Sequence, residues 1–510
     1  MKDNKYLGIE FGSTRIKAVT LNSDHLPVES GDHSWESALL DGIWTYDLED
    51  AKQGFIDALS KIKDRDGIVG AGISGMMHGY LAFDSDWNLL VPFRTWQNTV
   101  TEEAADRLTE ALDYNTPQRW SSAHLFSAVL NKEEHLSRLC HVTTISGYFH
   151  YLLTGENCIG IGEAGGMFPL NEEGTDFHPE KMEIFRGMIK AEGYDIDPRK
   201  VFPKILKAGE CAGRLTEEGS RLIGGLLKPG IPFAPPEGDA ATGMVATCAI
   251  SPGTGNVSAG TSVFAMVVLD KPLSRVYREI DIISTPEGRP VAMVHCNNCT
   301  ADSNKWIGIF KEAAALFGAD VHHTDIFGRL YRLSLEGDPD CGGVTVCNYI
   351  AGEHSVGVNS GIPLVARRQD SSFNLANLMR AILYSTLVTL SLGIKTLKEE
   401  KVTINSLTGH GGLFKTPGVG QRYLAAAVNT PVTCMATAGE GGPYGMALLA
   451  AYMIDKRDTS SLDEYLTKCV FKDVSRSVVS PTPEDTAGFE KYTEEFLKLL
   501  EAEKLASKIM

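Results

Sequence analysis

The chain has no long apolar run, no surplus of positive charge and no dense cysteine framework, and each absence removes a class of function. Its least polar stretch, "ILYSTLVTLSLGI" (Ile382 to Ile394), carries four serine and threonine residues and is short for a membrane span, so it reads as a buried helix. No membrane partner is expected. Lys and Arg number 48 against 65 Asp and Glu, a net charge of −17. That field excludes nucleic acid as the main partner, because phosphate-backbone binding needs a basic face. A small phosphorylated ligand needs only a local nest of N–H groups and is not excluded. Ten cysteines scattered over 510 residues do not make a secreted scaffold. The start, "MKDNKYLGIEFG", is charged and then strand-like with no apolar signal segment, and the expected location is cytoplasmic. Cys296 and Cys299 have C-x-x-C spacing, but no second pair completes a zinc set, and plain thiols are expected. No G-x-x-x-x-G-K-[ST] motif is present, so a P-loop is excluded.

What remains is an ordinary globular composition, 43% hydrophobic and 22% charged, long enough for several domains. "YLGIEF" and "RIKAVTL" alternate as strands around the turn "GST", and "LPVES" is a third. In "DLEDAKQGFIDALSKIKD", Phe55, Leu59 and Ile62 recur at the spacing of one buried helical face, with Asp47 as N-cap. "GIVGAGIS" is then a buried strand. Its Gly70, Gly72 and Gly75 fit the G-x-G-x-x-G spacing of a dinucleotide turn, which would make the chain an oxidoreductase. That motif needs a helix directly after the glycines, whereas "MMHGYLAFDSDWNLL" follows with Gly79 and a strand-turn-strand pattern. Gly70 and Gly72 are better explained as small residues on one strand face against which a helix packs.

A weak internal repeat organises the rest. "IEFGSTRIKAVTL" has a counterpart in "VSAGTSVFAMVVL", Val257 to Leu269, each a strand, a Gly-hydroxyl turn and a strand. A long helix, "NLANLMRAILYSTLVTLSLGIKTLKEE", then leads to the glycine-ended strand of "VTINSLTGHGG". Hairpin, helix and glycine-ended strand thus occur twice in the same order. The expectation is an α/β protein of two similar domains, residues 1–249 and 250–510, with both turns at a shared cleft.

The turns Gly12-Ser13-Thr14 and Gly260-Thr261-Ser262 offer a phosphate cradle: glycine admits the ligand to the backbone and hydroxyls add donors. A bare hairpin turn is the plainer meaning of each alone. Glu10, two residues before Gly12, could hold Mg²⁺ beside such a cradle or simply face solvent. Asp239 in "PPEGDAATG" reads as an N-cap or as a general base taking a proton from an attacking hydroxyl. His78 sits on a glycine-flanked loop after a strand, and "RTWQNT" (Arg94 to Thr99) joins an aromatic to amides and hydroxyls, a set that suits a polyol.

Together these motifs resemble the FGGY carbohydrate kinases, nearest to the xylulokinases and related ketopentose kinases. "GIEFGST" is similar to the family's first phosphate motif and "ISGMMHG" to its sugar loop. "RTWQNT" stands at the Trp-Asn-Asp loop, "GEAGGMFPLN" at a further sugar loop, and "EGDAATG" at the catalytic base. "SAGTS" is similar to the second phosphate motif, and "TGHGGLFKT" and "EGGPYGMALLAA" to the adenosine segment and the helix after it. The likeness runs from about Tyr6 to Tyr452 in the right order. It implies two ribonuclease-H-like domains of the actin and sugar-kinase superfamily around a central cleft, ATP and Mg²⁺ as cofactors, and phosphoryl transfer to a sugar hydroxyl. It further implies Asp239 as base, Glu10 and Asp239 toward the metal, and Met77, His78, Trp96, Gln97, Glu163 and Asp239 around the sugar. Gly12, Ser13, Thr14, Gly260, Thr261, Ser262, Gly409, Gly411 and Gly412 would hold the nucleotide. D-xylulose and L-ribulose are the expected substrates, and a homodimer is an open expectation.

The chain departs from the pattern at several points. Glu10 replaces an Asp, Gln97-Asn98 replaces Asn-Asp, Glu163 replaces an Asp, and Ala240 replaces an Asn. The Lys-containing signature is barely visible in "SSAHLFSAVLNKEEH". A catalytically weak sugar-binding regulator on the same fold is therefore the first alternative and the dinucleotide oxidoreductase the second. An actin- or chaperone-like ATPase would have no use for "GMMHG" and "RTWQNT".

Overall fold

The computed structural model describes residues 4–320, 322, 325–436 and 441–509. They divide into two compact units: Met1–Ser251 with Arg275–Val291 and Glu440–Val474, and Pro252–Ser274 with Ala292–Gly439 and Ser475–Met510. The units are thus interleaved along the chain.

In the first unit, β1 (Lys5–Phe11), β2 (Arg15–Leu21) and β3 (Pro27–Ser34) form an antiparallel meander. β4 (Ile68–Gly75) and the short β5 (Glu237–Gly238) continue it in parallel, giving the order β5-β4-β1-β2-β3. The helix Leu48–Ser60 crosses over from β3 to β4, and Asp47 caps it by accepting from the Glu49 and Asp50 amides. Alternation sorts β1 into two faces. Leu7, Ile9 and Phe11 enter a core with Phe55, Leu59 and Phe149, where Phe11 stacks on Phe149 at 4.2 Å.

The opposite face explains the G-x-G-x-x-G spacing. A Cβ on Gly8 would lie 1.9 Å from the Pro443 carbonyl, and one on Gly72 would lie 2.3 Å from Met446. One on Gly70 would meet Ile454 at 2.7 Å. These glycines let the helix Gly441–Ile454 lie directly on the sheet, while Gly75, on the other face, meets Ile145. No helix follows β4 at the place a dinucleotide turn requires. The oxidoreductase reading fails there. That helix reaches the first unit from far along the chain. Glu440, which opens the quoted segment, lies outside the described residues.

In the second unit the same scaffold recurs. β6 (Thr254–Ala259) and β7 (Val263–Val268) form a hairpin, and β8 (Pro290–Cys296) extends it. On the other side β9 (Ser406–His410) and β10 (Val432–Met435) run parallel to β6, with β11 (Arg476–Val479) at the edge. The long helix expected over 374–400 is two helices, Leu375–Ser385 and Val388–Glu399, bent by 51°. At the break the Ser385 and Thr386 hydroxyls bond back to the carbonyls of Ile382 and Leu383, a competition with the helical ladder that bends helices. This pair is buried. Among the described residues no single helix is long and apolar enough to cross a membrane.

Candidate active site

Three parallel neighbours, β1, β4 and β5, end together, and each hands the chain to one part of the site. From β1 comes the Gly12–Thr14 turn. Its carbonyls are occupied: Trp35 Nε1 donates to Gly12 O (2.7 Å), Tyr46 Oη to Ser13 O (2.8 Å), and the Trp35 amide to Thr14 O (3.2 Å). Among the described residues the Ser13 and Thr14 amides have no protein acceptor. A turn anchored through its carbonyls with its N–H groups uncommitted is an anion nest.

From β4 comes Met76–Gly79. His78 is buried with φ +71°, and its Nδ1 meets the Gly166 carbonyl at 2.9 Å. Because a carbonyl only accepts, Nδ1 carries the proton, as assigned from the hydrogen bond. The ring stacks on Trp120 at 6.3 Å. The tryptophan, buried with Nε1 unpartnered among the described residues, escaped the sequence reading. From β5 comes Asp239, the first residue of the helix Asp239–Ala246. Gly238, not Asp239, is the N-cap, so the capping role does not account for the carboxylate. Its Oδ1 accepts the Met77 amide at 3.2 Å, which ties this carboxylate to the Met76–Gly79 loop. Burial, partly offset by these amide bonds, pushes its pKa up to about 6.

Glu10, on the same face of β1 as Gly8, lies beside the first turn of the helix Gly441–Ile454. Burial and the Asp239 charge push it up to about 7, with Lys17 opposing. Two mutually repelling carboxyls in a desolvated place fit a divalent cation, which would relieve both penalties. Among the described residues no group of three His, Cys, Asp or Glu side chains could hold an ion alone. Mg²⁺, which keeps several waters and takes one or two carboxylates with substrate phosphates, suits that arrangement.

Glu163 lies on the one-turn helix Ile161–Ala164, fully buried, and neither carboxyl oxygen makes a regular hydrogen bond among the described residues. Burial holds its pKa well above the usual range, with the Thr144 hydroxyl as the main offset. A Cβ on Gly238 would fall 2.4 Å from Glu163 Oε2, so the acid reaches the strand that carries Asp239. The Arg94–Thr99 loop joins through a two-way backbone bridge between Tyr80 and Arg94. Trp96 is 37% exposed and Gln97 Oε1 is buried without a partner among the described residues. Asn98 grips Trp44 from both ends of its amide, accepting from its N–H and donating to its carbonyl, each at 2.8 Å. A carboxylate could make only the first bond. The amide that replaces the family's Asp thus orders this loop. Ala240 follows Asp239 as a small buried residue.

In the second unit, Gly260–Ser262 closes the β6–β7 hairpin. Gly260 O accepts from the amide (3.1 Å) and hydroxyl (2.7 Å) of Thr300, and Thr261 O from the Cys299 amide (2.9 Å). A Cβ on Gly260 would meet nothing within 4 Å, so the protein itself does not demand glycine there. Beside it, β9 ends in Gly409–Gly412. Gly409 makes room for Phe414 (2.5 Å), and Gly411, at φ +100°, lies against the Ala259 carbonyl (2.5 Å). Only Gly412 of the three is nearly unobstructed. Cys296 and Cys299 are buried free thiols, both pushed up by burial.

Residues 5–246 match the N-terminal domain model of the FGGY family of carbohydrate kinases, and residues 255–454 match its C-terminal domain model. Xylulose kinase of Haemophilus influenzae is 22% identical over 451 residues, covering 84% of this chain and 87% of that protein. L-fuculokinase of Escherichia coli is 27% identical over 250 residues, 46% of this chain and 50% of that one. A gluconate kinase from Lactobacillus acidophilus shares the fold with a TM-score of 0.79 at 17% identity, covering 99% of both chains. With both domain models matched in order, the chain belongs to the FGGY family of carbohydrate kinases and is an ATP-dependent sugar kinase.

Proposed function

We propose that the chain transfers the γ-phosphoryl group of MgATP to a hydroxyl of a ketopentose, D-xylulose or L-ribulose. The observation that carries the reading is the bond from the Met77 amide to Asp239, which joins a raised-pKa carboxylate to the sugar loop. Asp239 accepts the proton of the attacking hydroxyl, whose oxygen forms the new P–O bond as ADP leaves with the old one. A carboxylate of pKa about 6 is still ionised at neutral pH, yet is a stronger base than an ordinary aspartate. Glu10 and Asp239 would hold Mg²⁺, which would supply positive charge to offset that of the phosphates. Gly12, Ser13 and Thr14 bind phosphate through the first unit. Gly260, Thr261, Ser262, Gly409, Gly411 and Gly412 bind nucleotide through the second.

Met77, His78, Trp96, Gln97 and Glu163 receive the sugar. The buried oxygens of Glu163 and Gln97, without a partner of regular geometry among the described residues, meet sugar hydroxyls, since leaving such groups unpaired costs about 1–3 kcal/mol each. The ketopentose assignment is supported by curated relatives named xylulose kinase. ADP release measured over D-xylulose, L-ribulose, hexuloses, polyols and gluconate tests it. The reading expects the highest kcat/KM for a ketopentose, and a preference for gluconate or a polyol would overturn it.

A further inference from the structure

We propose that Glu237 is a positioning residue for the sugar site: from β5 it caps the one-turn helix Ile161–Ala164 and so fixes the Glu163 carboxyl beside Gly238 and Asp239. The inference rests on the sugar-kinase reading above and adds to it a role for Glu237, which the sequence reading left unassigned. The helix begins at Gly160, an N-cap with no side chain to satisfy the amides that follow. Glu237 supplies what is missing, Oε2 accepting the Glu163 N–H at 2.8 Å and Oε1 the Gly162 N–H at 3.4 Å. The loop is shaped to receive it. The three atoms nearest a Cβ on Gly160 would all belong to the Glu237 carboxyl, at 2.2, 2.3 and 2.9 Å. One on Gly162 would meet Glu237 Oε2 and Ala241 Cβ, each at 2.5 Å. Two glycines thus leave a niche that one distant carboxyl fills.

The other end of the link is rigid. Glu237 pairs with Ser74 in β4, and Asp239 stands two residues on, at the start of its helix. One buried side chain therefore couples the segment bearing Glu163 to the strand bearing the base. Its burial carries a penalty that the two amides offset in part, consistent with a pKa raised to about 8. Loss of the cap frees the Glu163 backbone without touching any group placed against ATP.

Steady-state kinetics of Glu237→Ala, Glu237→Gln and Gly160→Ala test the assignment, with D-xylulose and L-ribulose as probes. Displacing a sugar-binding group by a fraction of an ångström predicts a sugar KM raised about 10-fold or more in Glu237→Ala, with the ATP KM within about 2-fold. Glu237→Gln keeps an oxygen for the Glu163 amide and should hold the sugar KM within about 3-fold of the unaltered chain. Gly160→Ala should raise the sugar KM alone, and combined with Glu237→Ala should add little, because the closest contacts of its methyl are all with the Glu237 carboxyl. A Glu237→Ala protein that melts lower with both KM values unchanged would overturn the proposal, as would additive effects of the pair. If Glu237→Ala does not fold, Glu237→Gln and Gly160→Ala carry the same test. A chain that phosphorylates no sugar would sink the kinase reading before any variant is made. Amide hydrogen exchange at Gly162 and Glu163 then still decides the cap, with faster exchange in Glu237→Ala expected and unchanged protection contradicting it.

Discussion

The two units carry the same hairpin ended by a glycine and two hydroxyl residues, yet the strand ends beside the two turns have diverged. In the first unit the neighbours of Gly12–Thr14 are half-buried acids, Glu10 and Asp239, and Glu163 and Glu237 nearby are fully buried. In the second, the strand beside Gly260–Ser262 ends in glycines and a histidine whose pKa burial lowers to about 4. A repeated scaffold fixes where backbone N–H groups can meet an anion. On the proposed reading, the side chains that follow decide whether that end handles protons and metal or only grips phosphate and base. The acids also set opposite demands on pH from the histidine, since burial raises a carboxyl and lowers an imidazole.

The largest way to sharpen this contrast is Gly260→Val. Its Cβ meets no atom of the described residues within 4 Å, so the fold should tolerate it while the phosphate approach is blocked. Losing one or more charge-assisted bonds worth about 1.5–3 kcal/mol should raise the ATP KM roughly 10- to 100-fold, with the sugar KM unchanged. An unchanged ATP KM in the folded variant would make the second turn a plain hairpin. Next, His78→Ala removes the tie to Gly166 and should raise the sugar KM by about 5- to 10-fold, the equivalent of ~1 kcal/mol for one hydrogen bond. Calorimetric titration with ATP should show no change. A variant that only melts lower would reduce His78 to packing.

Gly411→Ala should act on stability instead. Its φ of +100° and the Ala259 carbonyl at 2.5 Å predict a loss of about 1–3 kcal/mol, seen as a lower melting temperature even without nucleotide. Equal stability would mean the second unit's glycines serve the ligand alone. The smallest effect concerns His410. Its folded pKa lies below the unfolded value, so the unfolded chain binds the extra proton, and stability present above about 6.5 is lost as pH falls toward about 4. His410→Asn should flatten the melting temperature over that interval, and an unchanged slope would contradict the assignment. The raised carboxyls of the first unit carry the opposite sign: their contribution weakens as pH rises.

Much of this was legible from spacing. The Asp47 cap, both hairpins and the packing role of Gly70 and Gly72 depend on local alternation and on small residues in a strand, which a sequence displays directly. The break near Thr386 was not, because hydroxyls that bend a helix look the same as hydroxyls that face a neighbour. Nor was the packing of Gly441–Ile454 on β1 and β4, a contact across hundreds of residues that no periodicity encodes. Asn98 read as a lost carboxylate and proved to be a two-ended amide clamp on Trp44. Glu237 had one signal, an acid in the otherwise apolar approach "IPFAPPEGD", whose meaning appears only when Gly160 and Gly162 come beside it.

The central claim is that the acids of the first unit perform the chemistry, with Asp239 as the base. Sugar-dependent ADP release by the unaltered chain and by Asp239→Asn, with ATP and ketopentose both saturating, tests it most directly. Removing a general base lowers turnover about 10²- to 10⁴-fold, and the account predicts a loss in that range with both KM values nearly unchanged. A variant retaining more than about a third of the unaltered turnover would contradict it.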